Sequence, residues 1–293
     1  MHVPILALLT LLLAPRVSAQ APVAPEPETP AFNTVPELQS GFRLLYIQKF
    51  PEARAQFTDW SAQHPDQPLG QVALAASYLF EEFYRQGVLT SDFFLNEKRF
   101  LNGIDGKPHE EEMKGFDEAI QSARAIAAKR LEKIPAEPEA LYSLTLCAGM
   151  ESDADMILKK KNLDALKRLK EANVHAKALL VQRPDASDAY VALGSANYIV
   201  GSLNVGFRAM LWFGGIHGDK KLGMEQVGKT VEGGRYLKPF AKIMLALAAR
   251  REKQNPLAIK LLRELTDEFP ESPLYSAELA KALGRPLPAQ MHP

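Results

Sequence analysis

One string of residues fits a phosphate-binding motif letter for letter. Residues 223–230 read GMEQVGKT, the spacing in which backbone amides wrap a phosphate while the lysine and the hydroxyl group reach terminal phosphates and magnesium. That chemistry requires a buried strand before the loop, but turn and charged residues occupy 216–221. The interior of the string is rich in helix formers. We therefore interpret it as part of a helix and not as a nucleotide site.

Other side chains that could do chemistry are scattered along the chain. His109 is followed by three glutamates at 110–112, but consecutive side chains on a helix do not face one site. We interpret this acidic run as the first turn of a helix, where negative charge is favourable. Cys147 stands in an apolar stretch, which predicts a small buried side chain. We expect no catalytic residue, no metal and no cofactor, and we predict that the protein is not an enzyme.

The composition excludes several classes of protein. The 293 residues include 35 basic and 35 acidic side chains, so the chain lacks the excess of positive charge that binds nucleic acid. We find no apolar stretch of about 18 residues or more and expect no membrane-spanning helix. Because the chain is 46% hydrophobic and has one cysteine, packing must stabilise it in the absence of an internal disulfide.

A spaced pattern recurs four times along the chain. Each copy begins with a small residue, and the residues four and seven positions later lie on the same face of a helix. A proline twelve positions after the first residue ends that helix, because proline cannot donate the next backbone hydrogen bond. The copies begin at Ala53, Ala123, Ala172 and Ala258 and end at Pro65, Pro135, Pro184 and Pro270.

The copies predict an all-α domain over 34–284 that contains five helix pairs and one closing helix. Two insertions, 87–115 and 201–218, stretch the middle of the array. The third pair exceeds the regular length, which we attribute to two longer helices. The helices predicted with explicit bounds are 69–85, 111–133, 222–231 and a closing helix over 272–284.

These spacings resemble the tetratricopeptide repeat, a helix–turn–helix unit of about 34 residues. Gly41, Ala53, Phe57 and Pro65 match the family's small, large apolar and proline positions, while Trp60 replaces a small residue. Exported bacterial repeat proteins look most similar. The resemblance implies a right-handed superhelical solenoid of antiparallel helix pairs. More loosely, 201–251 is similar to the eukaryotic family that contains the yeast inclusion-body clearance protein.

Members of the tetratricopeptide family bind ligands in a concave groove lined by the first helix of each pair. Here the resemblance implies a mostly apolar and aromatic groove with charge only near its C-terminal end. It lacks the lysines and asparagines that clamp a peptide carboxylate in the chaperone-binding members. The implied groove residues are Phe42, Tyr46, Phe80, Tyr142, Leu146, Ser195, Tyr198 and Arg250.

Both insertions contain more large apolar residues than a free loop would carry. Since large exposed apolar patches are rare, we expect 201–218 to form a short helix that fills the groove or a helix seam. The alternative is a docking surface for a partner or a lipid, and 87–115 allows the same two interpretations. The candidate docking residues of 201–218 are Phe207, Leu211, Trp212 and Phe213.

The groove leads to two hypotheses about function. The first is an adaptor that binds a protein or peptide in the concave groove, although the sequence does not identify the partner. The second is a periplasmic component that binds a small molecule or a lipid, with 201–218 as a lid. A closed apolar cavity would favour the second hypothesis.

The N-terminal residues predict export. Residues 3–14 form an apolar run, and Val-Ser-Ala at 17–19 supplies the small residues that a signal peptidase reads. We predict a signal peptide over 1–19 and a periplasmic or secreted protein. Prolines predict an extended, disordered linker over 20–33, and we expect a disordered tail over 285–293.

Overall fold

The computed structural model describes residues 31–203, 205–213 and 217–287, in which helices are the only regular secondary structure. The prediction of an all-α fold is therefore confirmed. The helices are α1 (Pro36–Tyr46), α2 (Phe50–Gln63), α3 (Pro68–Arg85), α4 (Ser91–Leu95), α5 (Glu97–Asn102), α6 (Glu110–Lys133), α7 (Pro138–Asp153), α8 (Asn162–Gln182), α9 (Tyr190–Ser202), α10 (Val205–Phe213), α11 (Lys220–Gly233), α12 (Lys238–Arg251), α13 (Asn255–Glu268) and α14 (Pro273–Ala282).

The longer helices pack as neighbours in the order of the chain. The main pairs are α1 with α2, α3 with α6, α7 with α8, α9 with α11, and α12 with α13, followed by α14. Each pair also contacts the next, through α2 and α3, α6 and α7, α8 and α9, and α11 and α12. The apolar stripe of each helix is therefore covered by its partner and by the adjoining pair.

Local sequence explains where the helices begin and end. Seven of the described helices carry a proline in their first turn, where its missing amide costs no hydrogen bond. The carboxylate of Asp219 accepts a hydrogen bond of 2.9 Å from the amide of Leu222 and caps α11. The phosphate-loop string 223–230 lies inside this helix, as predicted. Its Lys229 amine stands 4.4 Å from the centre of the Tyr190 ring.

Two glycines permit the close approach of neighbouring helices. A Cβ atom on Gly41 would overlap the ring of Phe57, which fills the space between α1 and α2. Gly70 of α3 leaves space for Trp60 of α2 in the same way, because a Cβ atom on Gly70 would overlap the indole ring. The bulk of Trp60 is thus accommodated by a glycine on the next helix.

The extra length of the third pair lies in its helices. After Asp153, α7 continues as a π-helical turn over Ala154–Leu158, and α8 contains 21 residues where α2 contains 14. Of the predicted insertion 87–115, residues 110–115 belong to α6, so the insertion ends at residue 109. Cys147 is buried, and burial raises the pKa of its thiol to about 12.

The first helix contacts the last ones, which joins the two ends of the array. The Arg43 guanidinium donates two hydrogen bonds of 2.9 Å to the carboxylate of Glu271 and lies 5.3 Å from the Phe269 ring centre. The Tyr46 hydroxyl donates a 2.7 Å hydrogen bond to the carbonyl of Tyr236. The helix pairs therefore surround a common interior.

The packed chain begins before α1. Ala31 and Phe32 are buried, and the Phe32 ring meets Tyr142 edge-on with centroids 5.9 Å apart. The end of the predicted linker 20–33 is thus packed against the helices, because Phe32 finds an apolar contact there. The predicted signal peptide 1–19 lies outside the described residues. Within them, no helix is both long and apolar enough to cross a membrane.

Candidate functional site

Residues 87–109, which we call the strap, connect the third pair to the end of the array. The backbone amide of Ile104 donates a 3.0 Å hydrogen bond to the carbonyl of Ile157 in the π-helical turn. A Cβ on Gly103 would overlap the same carbonyl, and this glycine has a φ of +74°. A glycine at this position therefore lets the strap lie directly against the third pair.

Charged groups attach the other end of the strap to α12 and α14. The buried carboxylate of Glu278 accepts a 3.0 Å hydrogen bond from the Ser91 amide. The Arg250 guanidinium donates to the Ser91 hydroxyl at 2.8 Å, and the Lys281 amine donates to Asp92 at 2.6 Å. Arg251 donates to the carbonyl of Phe94 at 2.7 Å. Both ends of the strap are thus bound to different helix pairs, and its phenylalanines cover the interior between them.

Beneath the strap the helices enclose an apolar chamber with three adjoining lobes. The central lobe has a volume of about 110 Å³ and is lined by α1, α3, α7, α8, α9 and α12. The strap lobe, about 60 Å³, lies against the strap phenylalanines. The outer lobe, about 320 Å³, lies between the strap, α8 and α9. Ile199 lines all three lobes.

The outer lobe reaches the surface of the protein. Asn102 and Asn162 line it and are both exposed, whereas Leu169 and Ala165 line it and are buried. Leu203, which lies two positions before the start of α10, also lines this lobe. The amides therefore mark a polar rim, and α10 begins beside it.

Asp153 is the one acidic side chain that lines the chamber in the part of the chain that the structure describes. Its side chain is half-buried and lines the central and strap lobes. Removal from bulk water raises the pKa of Asp153 to about 7. The chamber is thus an apolar space with an ionisable group on its wall.

Five of the eight predicted groove residues line this chamber. Phe42, Phe80 and Leu146 supply apolar surface to the central lobe. Ser195 lines both the central and the strap lobes, and Tyr198 lines the strap lobe. The Tyr198 hydroxyl donates a 3.1 Å hydrogen bond to Glu252, and burial together with that carboxylate raises the pKa of the phenol.

The other three predicted groove residues support the surrounding structure. Tyr46 contacts the carbonyl of Tyr236 as described above, and burial raises the pKa of its phenol. The buried Tyr142 hydroxyl donates a 3.1 Å hydrogen bond to Asp188, whose carboxylate also accepts from the amides of Arg235 and Tyr236. Arg250 holds the strap. None of these three lines any of the three lobes.

The second insertion forms the short helix α10, as predicted. Leu211 is buried and packs with Leu169, Ala196 and Val200 in the seam between α8 and α9. Trp212, on the other side of α10, is 60% exposed, and its ring meets His217 with centroids 6.1 Å apart. The other two candidates, Phe207 and Phe213, have side chains outside the described part of the structure.

The sequence interpretation missed Asp153 and the methionines of the chamber wall. Asp153 stands between two other acidic residues and ahead of a run of lysines, a pattern typical of a solvated surface. The signal that could have found it was its spacing, because Asp153 follows Leu146 and Met150 by seven and three positions on one face of α7. The strap lobe also contains Met156, Met224 and Met244.

Searches for related proteins do not assign a family. No protein-family model matches the chain, and no curated protein matches it. The case for function therefore depends on the geometry of the chamber.

Proposed function

We propose that this protein is a non-catalytic binding protein for a small apolar ligand, which it holds in the chamber between the helix pairs. One observation carries the proposal: the helix pairs and the strap line an apolar space. Small-molecule sites combine apolar walls with a few polar groups and have volumes of about 300–1,000 Å³. The outer lobe alone, about 320 Å³, falls in this range.

The proposal includes the fold and the location. The sequential packing of helix pairs and the 41, 53, 57 and 65 spacing support a tetratricopeptide-like solenoid that is curved enough for its ends to meet. The predicted signal peptide supports a periplasmic or secreted protein. In this proposal α10 is the movable cover beside the outer lobe, the role that the lid hypothesis gives to 201–218.

A protein or peptide adaptor is the less well supported function. Such an adaptor would need the groove residues on an open surface, where a few aromatic side chains would provide most of the affinity. Phe42, Tyr142 and Tyr198 are instead buried. An extended peptide would also meet the strap, which is attached through α12 and α14.

The binding test uses the full chain and a neutral apolar fluorophore, N-phenyl-1-naphthylamine, after the protein has been extracted with organic solvent and refolded. Gly149 lines the central lobe, and a Cβ there would meet no other element within 4 Å. We therefore expect the side chain of Gly149→Leu to enter the central lobe. We expect it to weaken fluorophore binding by about tenfold, a free-energy difference of about 1.4 kcal/mol.

The matched control is Gly228→Leu. Gly228 also lies within a helix, and a Cβ atom added to it would meet no other element within 4 Å, but it lines none of the three lobes. Both substitutions remove a helical glycine, so each should raise helix stability by up to about 1 kcal/mol. Equal fluorophore affinity in the two variants, or no binding by the unaltered protein, would contradict the proposed function.

A further inference from the structure

The carboxyl group of Asp153 lies at the end of α7, where the helix changes to a π-helical turn. Among the residues that the structure describes, no hydrogen bond and no ion pair satisfies this carboxyl group. An unpaired carboxylate in apolar surroundings costs free energy unless an opposite charge compensates it. The chain therefore presents an uncompensated acidic group to the chamber.

The basic side chains of the neighbouring helices are engaged elsewhere. Lys220 forms an ion pair of 2.8 Å with Glu252, and Lys242 lies 3.0 Å from Glu268. Arg250 and Arg251 bind the strap. Among the described residues, no lysine, arginine or histidine lines either lobe that contains Asp153. The described part of the chain therefore supplies no compensating charge inside these two lobes.

The wall around Asp153 is aromatic and sulfur-rich. Phe83 and Phe240 line both lobes that contain the carboxyl group, as does Met244, and Phe94 lines the strap lobe. The Phe240 ring meets Phe80 edge-on with centroids 5.3 Å apart. The faces of aromatic rings attract cations, with a contribution of about 2 kcal/mol when the cation is desolvated. A ligand with a positive head would thus gain from the carboxylate and from the rings.

We propose that the ligand of the chamber is a cationic amphiphile, whose amine pairs with the Asp153 carboxylate while its apolar body lies in the adjoining lobes. This inference depends on the proposed function, because it names the chemical class of the same ligand. An anionic amphiphile would place two negative charges together in an apolar space, and a neutral one would leave the carboxylate without a counter-charge.

The test compares three probes of equal chain length: decylamine, decanol and decanoate. Each is titrated at pH 8 and low salt against the fluorophore-loaded full chain, and the concentration that displaces half of the fluorophore is measured. We expect decylamine to displace half of the fluorophore at a concentration at least about tenfold lower than the concentration of decanol that does so. A tenfold difference is the free energy of about one charge-assisted hydrogen bond. Decanoate should be the weakest of the three.

Two variants test whether the Asp153 carboxylate causes the preference for decylamine. Asp153→Asn keeps the shape of the side chain and should remove the preference for decylamine while leaving the displacement by decanol unchanged. Asp155→Asn is the matched control, since Asp155 follows by two positions, lies 3.8 Å from Lys159 and lines none of the three lobes. It should keep the preference.

The possible outcomes separate the two proposals. If the three probes displace the fluorophore equally, or if Asp153→Asn keeps the preference for decylamine, the proposal of a cationic ligand is wrong. The proposal that the protein binds an apolar ligand is not affected by either result. A preference for decanoate also overturns the cationic ligand. If the fluorophore does not bind to the chain at all, the proposed function fails first.

Discussion

The strap and α10 are the two insertions of the array, and the structure attaches them in different ways. Polar groups hold the strap, with the buried Glu278 and the guanidinium groups of Arg250 and Arg251 at one end. The described side chains of α10 attach it through the apolar contact of Leu211 and a 3.4 Å hydrogen bond from Arg208 to the carbonyl of Gly201. Val205 and Trp212 are 75% and 60% exposed.

This difference assigns different roles to the two segments. Separating the strap from α14 takes the Ser91 amide away from the buried Glu278 carboxylate, and an unsatisfied buried polar group costs about 1–3 kcal/mol. Among the described side chains of α10, Leu211 is the buried one that separation would expose. We therefore expect the strap to remain in place while α10 opens and closes the route to the outer lobe.

The substitution with the largest expected effect on stability is one that releases the strap from α14. Glu278→Ala removes the acceptor for the Ser91 amide and the ion-pair partner of Lys281, 3.0 Å away. Because it leaves the buried Ser91 amide unpaired and removes one carboxylate from Lys281, we expect it to lower the free energy of unfolding by about 3 kcal/mol. Urea unfolding measures this loss, and limited proteolysis should cut the variant within 87–109.

Glu271→Ala is the control for that measurement. Its carboxylate pairs with Arg43 at 2.9 Å, but both side chains are about half exposed. An exposed ion pair contributes about 0–1 kcal/mol. If the two variants lose the same stability, the strap is not held by its buried carboxylate.

The attachment of α10 is tested by Leu211→Ala. The substitution removes the buried contact in the seam between α8 and α9, and the loss should approach about 2 kcal/mol. Because α10 can separate on its own, we expect faster hydrogen exchange in 205–213 with little change in α3 or α7. The fluorophore should also dissociate faster. An increase in exchange over the whole chain would show that α10 is part of the global folding unit.

The ionisation of Asp153 makes a prediction about pH. An unfolded Asp has a pKa near 3.9, whereas the folded pKa is raised to about 7 by desolvation. Between these values the folded state binds the additional proton, so stability falls as pH rises, by about 1.4 kcal/mol per pH unit at most. The contribution is fully present below about pH 4 and is lost as pH rises through about 7.

Asp153→Asn isolates this contribution, because the effects of other buried acids cancel in the comparison. Glu139 is the main one, with a pKa that burial raises to about 8. Urea unfolding of both proteins at pH 5 and pH 6 should show a smaller decrease in the variant, by about 1 kcal/mol. An equal decrease in the free energy of unfolding for the two proteins would mean that water reaches the Asp153 carboxyl group freely.

The smallest effect should come from Trp212→Ala. Since its side chain is mostly exposed, we expect a change of less than about 0.5 kcal/mol in the free energy of unfolding. Paired with Leu211→Ala, it distinguishes the docked face of α10 from the exposed face. A loss as large as that of Leu211→Ala would show that Trp212 is a structural contact.

Much of the local structure could be predicted from the sequence, because helix ends depend on nearby residues. The four helices that the sequence assigned by range have bounds within two residues of the observed ones. Gly41 predicted the close contact with the next helix, and Cys147 predicted a buried thiol. The lining of the chamber was only partly predictable from the sequence. Five of the predicted groove residues line it, but Asp153 stands among charged residues in the sequence and resembled a surface side chain.

The sequence by itself therefore determined the helices, the order of their pairing and the positions of the two insertions. Only the tertiary structure decided that Arg43 meets Glu271 and that Ser91 meets Glu278. The physical reason is that spacing along a helix fixes local faces, whereas contacts between residues far apart in sequence depend on how all the helices pack together. That packing brings Arg43 to Glu271 and Ser91 to Glu278, and it places Asp153 on the wall of an apolar space.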